Sequence, residues 1–230
     1  MLQELPNVAA GALDISTLDQ LRSLLPSPHA PRILLLHGSL GEPSFSRLLT
    51  REAERILQHL GAETRVFDPF GLPFPDAATL QHPKVQELCA LSTWSEGQVW
   101  TTPEEHGSMS SLLKAQVEWV PLCAAAARPM KGRTLALMEV SEGPQPFNAV
   151  HQLSMLGRAM GMIIVPGHSS LADAQRGFDA AGRMGPSPSY DQMVDLMEEL
   201  VKFTLLTRGL SNFLTDRYSE RKRPPKLHRS

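Results

Sequence analysis

With 230 residues, 42% hydrophobic and 20% charged, the chain has the make-up of an ordinary globular protein able to bury one substantial core, which sets aside a largely disordered chain and a membrane protein. A formal net charge of -2, from 22 basic and 24 acidic residues, gives no overall field that would draw nucleic acid or an anionic membrane, so any anion site must be local. No apolar run reaches the roughly 18 residues of a membrane span, and the opening stretch MLQELPNVAAGALDISTLDQ carries acids where a signal peptide has a basic start, so a cytoplasmic protein is expected.

Residues 1–31 end in LLPSPHAPR, whose closely spaced prolines continue neither a helix nor a central strand, and read as an arm outside the core. Arg32 to His37 is an apolar run without alternation, the pattern of a strand buried on both faces of a parallel sheet. The loop from Gly38 to Ser44 leads into Phe45, Leu48, Leu49, Ala53, Ile56, Leu57 and Leu60, whose spacing puts them on one helical face, and Gly61 closes that helix. Glu63 to Phe67 supplies a short second strand, and the prolines of FDPFGLPFPD mark a loop. A helix over Pro83 to Thr93 precedes a third strand at Gln98 to Thr101, a loop at Thr102 to Gly107, and a helix carrying Met109, Leu112, Leu113, Gln116, Val117 and Val120 that ends near Pro121. Arg133 to Val140 is the fourth strand, Ser141 to Pro146 a loop, Phe147 to Met160 a helix, and Met162 to Val165 the fifth strand. The last helix, residues 190–207, is apolar over more than one face, which points to burial against both the sheet and a second copy, so a homo-oligomer is expected. The domain spans 32–208 and residues 209–230 form a tail; the short basic run in it reads as a solvated end rather than a nucleic-acid arm.

Strands that alternate with helices one crossover at a time give an α/β doubly wound five-stranded parallel sheet with helices on both faces. Ligands in such sheets sit beyond the carboxyl ends of the strands, and three loops fall there. In the first, Ser39, Ser44 and Ser46 offer hydroxyls, the helix start offers amides and Arg47 offers a charge, which suits a phosphate; the same serines also read as plain helix caps. In the second, Pro103 stiffens the chain and Gly107 lets backbone approach a flat ring, with Glu104 and His106 either at the site or as a solvated pair. The third runs from Ser141 through Gly143 to Pro146. No metal site is expected, because His106 has no second His or Cys at ligand spacing, and Cys89 and Cys123, far apart and without CxxC spacing, read as buried thiols rather than a disulfide or zinc pair.

The first loop is similar to the GSxRxxSxS phosphate loop of NADPH-dependent FMN reductases, with Gly41 standing where that family has its arginine, and there is no GxGxxG of a Rossmann dinucleotide site. Pro103 to Gly107 resembles the family's P-E-x-x-G segment, and Ser141 and Gly143 with the intact Phe147-Asn148-Ala149-Val150 resemble its SGGSQSFNAV-like turn, where Glu142 and Pro144 replace smaller residues. Stretches such as HPKVQEL, WSEGQVW, LKAQVEWVPL, LGRAMGM, MEELVKFTLLTR and DRYSERK extend the likeness from residue 32 to about 220, in particular to the ArsH family of flavoproteins linked to arsenical resistance. The resemblance implies a flavodoxin-like fold, FMN held by Ser39, Ser44, Ser46, Arg47, Pro103, Glu104, His106, Gly107, Ser141 and Gly143, NADPH as hydride donor, and a tetramer. It further implies oxidation of trivalent organoarsenicals, with no catalytic acid or base because the flavin carries the electrons. A general quinone, azo or free-flavin reductase, and a non-catalytic flavodoxin-like binding protein, stand as the alternatives.

Overall fold

Four consecutive apolar residues in one strand require a core on each side of the sheet, and the structure supplies two. In this computed structural model, which describes residues 5–9, 13, 16–24, 26–76, 79–123, 129–144, 148–216 and 218, Ile33, Leu34, Leu35 and Leu36 are all fully buried. They lie on β1 (Arg32–His37). Ile33 and Leu35 join the core built from α1 (Ser16–Leu24), α2 (Phe45–His59) and α7 (Pro188–Thr207), whereas Leu34 and Leu36 join the one built from α3 (Pro83–Trp94), α4 (Ser111–Cys123) and α5 (Asn148–Ala159). The remaining elements are β2 (Glu63–Val66), β3 (Gly97–Glu105), β4 (Ser108–Met109), β5 (Thr134–Val140), β6 (Ile163–Leu171), α6 (Ala174–Gly177) and α8 (Ser211–Thr215).

Five strands pair in parallel in the order β2-β1-β3-β5-β6, with the two-residue β4 antiparallel to β3 off this path. This is the expected doubly wound sheet, and the chain reverses its direction of travel at β1 and β3, where such folds open a crevice. The five expected helices, α2, α3, α4, α5 and α7, cover its two faces, and α1 joins them.

Two strands run further than expected. Pro103 marks a loop in sequence terms, yet β3 continues to Glu105: Pro103 pairs with Val140 at a rung beyond the last β1 rung, His37 with Thr101, so no ladder bond to β1 is lost. The strand then turns back into β4 through His106 and Gly107, both at positive φ (52° and 73°), the backbone of a tight type I′ hairpin. β6 likewise runs past Val165, the expected end of the fifth strand, through Pro166-Gly167-His168; it is an edge strand, where a proline is tolerated, and the Gly167 amide donates to the Glu199 carboxylate of α7 at 2.9 Å.

Two readings need correction. The segment before residue 32 does not lie wholly outside the core, because Leu18 on α1 is fully buried and belongs with Leu5 to the α7-side core. Cys89 on α3 is disulfide-bonded rather than a free thiol, a bond that leaves no mark in sequence spacing. The basic tail beyond 218, and the residues 145–147 read as the end of a loop and the start of a helix, lie outside the described residues. Among the described residues no helix is long and apolar enough to cross a membrane.

At the opposite end of the sheet from the strand carboxyl ends, Gly97 opens β3 in a tight spot. A Cβ there would stand 2.5 Å from Thr134 Oγ1 and 2.8 Å from Thr204 Oγ1, two hydroxyls that are themselves 2.6 Å apart and fully buried. Gly97→Ala is therefore expected to lower the unfolding free energy by about 2 kcal/mol, measured by urea denaturation, and an unchanged midpoint would show that the sheet and α7 can part there at no cost.

Candidate functional site

The carboxyl ends of β1, β3 and β5 open into a cavity of about 390 Å³, within the size range of small-molecule sites. Its walls are Ser39, Pro43, Ser44, Phe45 and Ser46 after β1, Pro103 to His106 on the β3 hairpin, Val140 to Gly143 after β5, and Ala174 of α6. Ser39, Ser44, Ser46, Pro103, Glu104, His106, Ser141 and Gly143 thus come together as the sequence implies. Arg47 and Gly107 are not among the residues lining it.

The first wall depends on a glycine at the end of β1. A Cβ on Gly38 would fall 2.3 Å from Ser110 Oγ and 3.0 Å from Pro103 Cδ, so the loop can lie against the start of α4 and the end of β3 only without a side chain there. Ser44 is the N-cap of α2: its Oγ accepts the Arg47 amide at 3.2 Å and lies 3.4 Å from Ser46 Oγ. Capping and cavity lining are therefore not rival roles for this serine. The helical bond from Leu48 N to Ser44 O, at 3.0 Å, leaves the earlier Phe45 and Ser46 amides as donors at the positive end of the helix. The Arg47 guanidinium is engaged by the Glu42 carboxylate.

His37, the last residue of β1, is a site-supporting group the sequence reading treats only as strand. It is 3% exposed; its Nδ1–H donates to the Ser39 carbonyl at 3.1 Å, and its own carbonyl accepts Gln116 Nε2 at 2.9 Å. Burial lowers its pKa to about 4, opposed by the Ser39 hydrogen bond and reinforced by the positive charge of Arg47. The ring is thus a neutral strut under the loop. A polar residue closing an apolar strand just before a glycine is the one signal in the sequence that could have drawn attention to it.

The second and third walls are tied together by α5. Glu104 Oε2 accepts the amides of Asn148 and Ala149 at 2.9 and 3.3 Å, so its carboxylate caps the helix. Glu139, fully buried on β5, accepts the Val150 amide at 2.7 Å through Oε2 and the Ser170 hydroxyl of β6 at 2.7 Å through Oε1. Gln152 clamps the hairpin tip, its Nε2 donating to the Gly107 carbonyl at 3.0 Å and its Oε1 accepting from Ser108 Oγ at 2.7 Å. Gly107 therefore acts through its backbone conformation and this clamp. Ser141 Oγ accepts the Gly143 amide at 3.0 Å, and the Ser141 and Gly143 carbonyls accept the amides of Ala174 and Asp173.

A strap from residue 172 to 184, left unassigned by sequence reasoning, completes the enclosure. Phe178 stacks on the cavity residue Phe45 with ring centroids 6.1 Å apart, and Arg183 Nε donates at 2.6 Å to Glu52, a fully buried carboxylate of α2. Only the fold brings residues 131 positions apart into this pair, so no local pattern announces it.

The lowered pKa of His37 makes stability pH-dependent with a definite sign. In the unfolded chain the imidazole takes its proton below its ordinary 6.5, whereas in the fold it waits until about 4; stability held above pH 6.5 is thus lost as pH falls toward 4, by about 3 kcal/mol. His37→Asn, which keeps a donor toward Ser39, should lose less stability than the parent across that window in urea denaturation; parallel losses would show that His37 does not carry the effect.

Residues 31–176 match the NADPH-dependent FMN reductase family model. A Rhizobium meliloti protein named NADPH-dependent FMN reductase ArsH is 59% identical over 217 residues, covering 91% of this chain and 90% of that protein. Its namesake from Acidithiobacillus ferrooxidans is 56% identical over 222 residues, covering 96% and 94%. Among solved structures, FerB, a flavoenzyme NAD(P)H:(acceptor) oxidoreductase from Paracoccus denitrificans, superposes with a TM-score of 0.66 at 17% identity, over 77% of this chain and 98% of that one. The apo form of the NADH:FMN oxidoreductase EMOB superposes at 0.60 with 16% identity, over 78% and 91%. These two share the fold. The chain belongs to the NADPH-dependent FMN reductase family.

Proposed function

We propose that this protein is an NADPH-dependent FMN oxidoreductase of the ArsH type that acts in the cytoplasm as a homotetramer and oxidises trivalent organoarsenicals. The observation that carries the cofactor reading is the donor set at the first wall. Three hydroxyls, Ser39, Ser44 and Ser46, and the leading amides of α2 face one cavity, which is what a phosphate monoester requires. The space between the Pro103–His106 hairpin and the Ser141–Gly143 turn continues from it and suits a flat ring system.

Bound FMN would supply the two-electron chemistry that links NADPH to oxygen; oxygen, taking two electrons from NADPH and two from arsenic, would give one atom to the arsenical and leave the other as water. The protein's own part is placement. Gln152 and Glu104 hold the hairpin, Ser141 holds the facing turn, and the strap with Phe178 closes the side of the phosphate end. Arg47 contributes to phosphate binding by exchanging Glu42 for the ligand, a rearrangement confined to the surface because the Glu42 side chain is 76% exposed. NADPH and the second substrate use the same open face in turn, which gives ping-pong kinetics.

Purified protein should take up FMN with a flavin spectrum, and NADPH oxidation under air should respond to methylarsenite; flavin uptake with a response only to quinones or dyes would favour the general reductase instead. At Gly41 a Cβ would meet nothing closer than Ser39 Oγ at 3.6 Å, so a side chain is accommodated. Gly41→Arg should tighten FMN binding by roughly 1.5 to 3 kcal/mol, the worth of a charge-assisted hydrogen bond, and an unchanged dissociation constant in a fluorescence titration would move the phosphate elsewhere.

A further inference from the structure

The strap of residues 172–184 is anchored near its two ends and lies on α2 between them. Ala174 and Met184 are buried in the α7-side core, and the Asp173 and Ala174 amides donate to the Gly143 and Ser141 carbonyls at 3.1 and 3.0 Å. Between these anchors the tip is closed on itself: Asp179 Oδ1 accepts the Ala181 and Arg183 amides at 2.8 and 2.9 Å, and the Asp179 amide donates to the Arg183 carbonyl at 2.9 Å. This tip meets α2 through Phe178 on Phe45, through Gly182, where a Cβ would stand 2.8 Å from Leu48 Cδ2, and through Arg183 Nε on Glu52 Oε1 at 2.6 Å. Phe45 is both a cavity residue and the start of α2, so the tip covers the side of the cavity at the leading amides of that helix.

The bond to Glu52 is the one that can part at low cost. Arg183 and Glu52 share a single bond rather than the paired fork of a bidentate contact, since Glu52 Oε2 and Arg183 Nη2 are buried without hydrogen-bond partners among the described residues. Releasing Arg183 does not strip the buried carboxylate of its countercharge, because Arg55 of α2 holds the same Oε1 at 2.8 Å and the Met184 amide donates to it at 3.3 Å. The large penalty of an unpaired buried charge is thus avoided. The Arg183 side chain is 30% exposed, so water is within its reach. We infer that the tip of the strap, residues 178–183, is the gate through which FMN enters and leaves, with Arg183 and Glu52 as its latch. When Arg183 lets go, Phe178 lifts from Phe45 and the cavity opens beside the phosphate donors. The inference rests on the cofactor reading above and adds what keeps the cofactor in place: a closed latch makes the flavin a resident group, and a weakened one lets it exchange as a substrate does.

The test follows FMN fluorescence in two directions: association, on mixing flavin-free protein with FMN in a stopped-flow instrument, and release, on diluting the loaded protein. A gate is crossed both ways. Arg183→Met should therefore raise both rate constants by about tenfold, the effect of losing one charge-assisted hydrogen bond, and leave Kd within about threefold of the parent because the two changes cancel. Arg183→Lys, which keeps a positive charge at the latch, should exchange FMN more slowly than Arg183→Met. Phe178→Leu keeps an apolar cover but loses the ring stack, and should raise both rates by about threefold, the worth of an aromatic pair. That variant alters no buried charge and decides alone if urea denaturation shows Arg183→Met to be unfolded. Rates unchanged from the parent would overturn the inference. So would faster release with unchanged association and a Kd weakened in proportion, which would make the strap a wall of the site and not its gate. Either result leaves the cofactor reading intact, whereas failure of the parent protein to take up FMN would overturn both.

Discussion

The first amides of a helix that begins inside a protein must find acceptors there, and at α5 two glutamates provide them. Because Glu104 ends β3 and Glu139 lies near the end of β5, meeting this requirement binds two neighbouring strands to one helix start, and the Ser170 hydroxyl on Glu139 adds the edge strand. The mouth of the cavity is framed by these same strand ends. Its shape is therefore set by the need to satisfy backbone donors away from water, where an unpaired group costs more than the bond itself is worth.

The two ends of the cavity are built on different principles. At the first, the helix start of α2 is left open and hydroxyl-rich, with a neutral imidazole below it; at the second, the helix start of α5 is closed by carboxylates. One helix terminus in this protein therefore attracts anions and the other does not, although both have the same backbone dipole. The difference lies in the side chains that meet the first amides: Ser44 in one case, Glu104 and Glu139 in the other.

Much of this architecture is legible in the sequence. The unalternating run of β1, the helical spacing of α2 and the order of elements lead to the parallel sheet, since each of those signals reflects a local periodicity that the fold preserves. The serines of the first wall were legible because a helix start advertises its caps. What escaped were features that depend on residues distant in sequence. Pro103 and Pro166 look like strand breakers, and only their rungs, one beyond the end of β1 and one on an edge, explain why they are tolerated. The Glu52–Arg183 pair, the Gln152 clamp and the disulfide at Cys89 join segments that no window of sequence contains, and the role of Glu104 as a helix cap follows only once α5 is seen to begin beside it.

The Gly167 amide, held by Glu199, bears on how copies of this chain can meet. β6 is an edge, and an edge with free donors is a template on which another strand can add. Here one donor is already taken from within, the neighbouring Pro166 has none to give, and a helix side chain occupies the line of approach. At the far edge β2 offers only four residues, with charged Glu63 and Arg65 among them. Growth of the sheet from one molecule into the next is thus hindered along β6 and poorly supported along β2, which leaves the helix surfaces as the faces on which copies could meet.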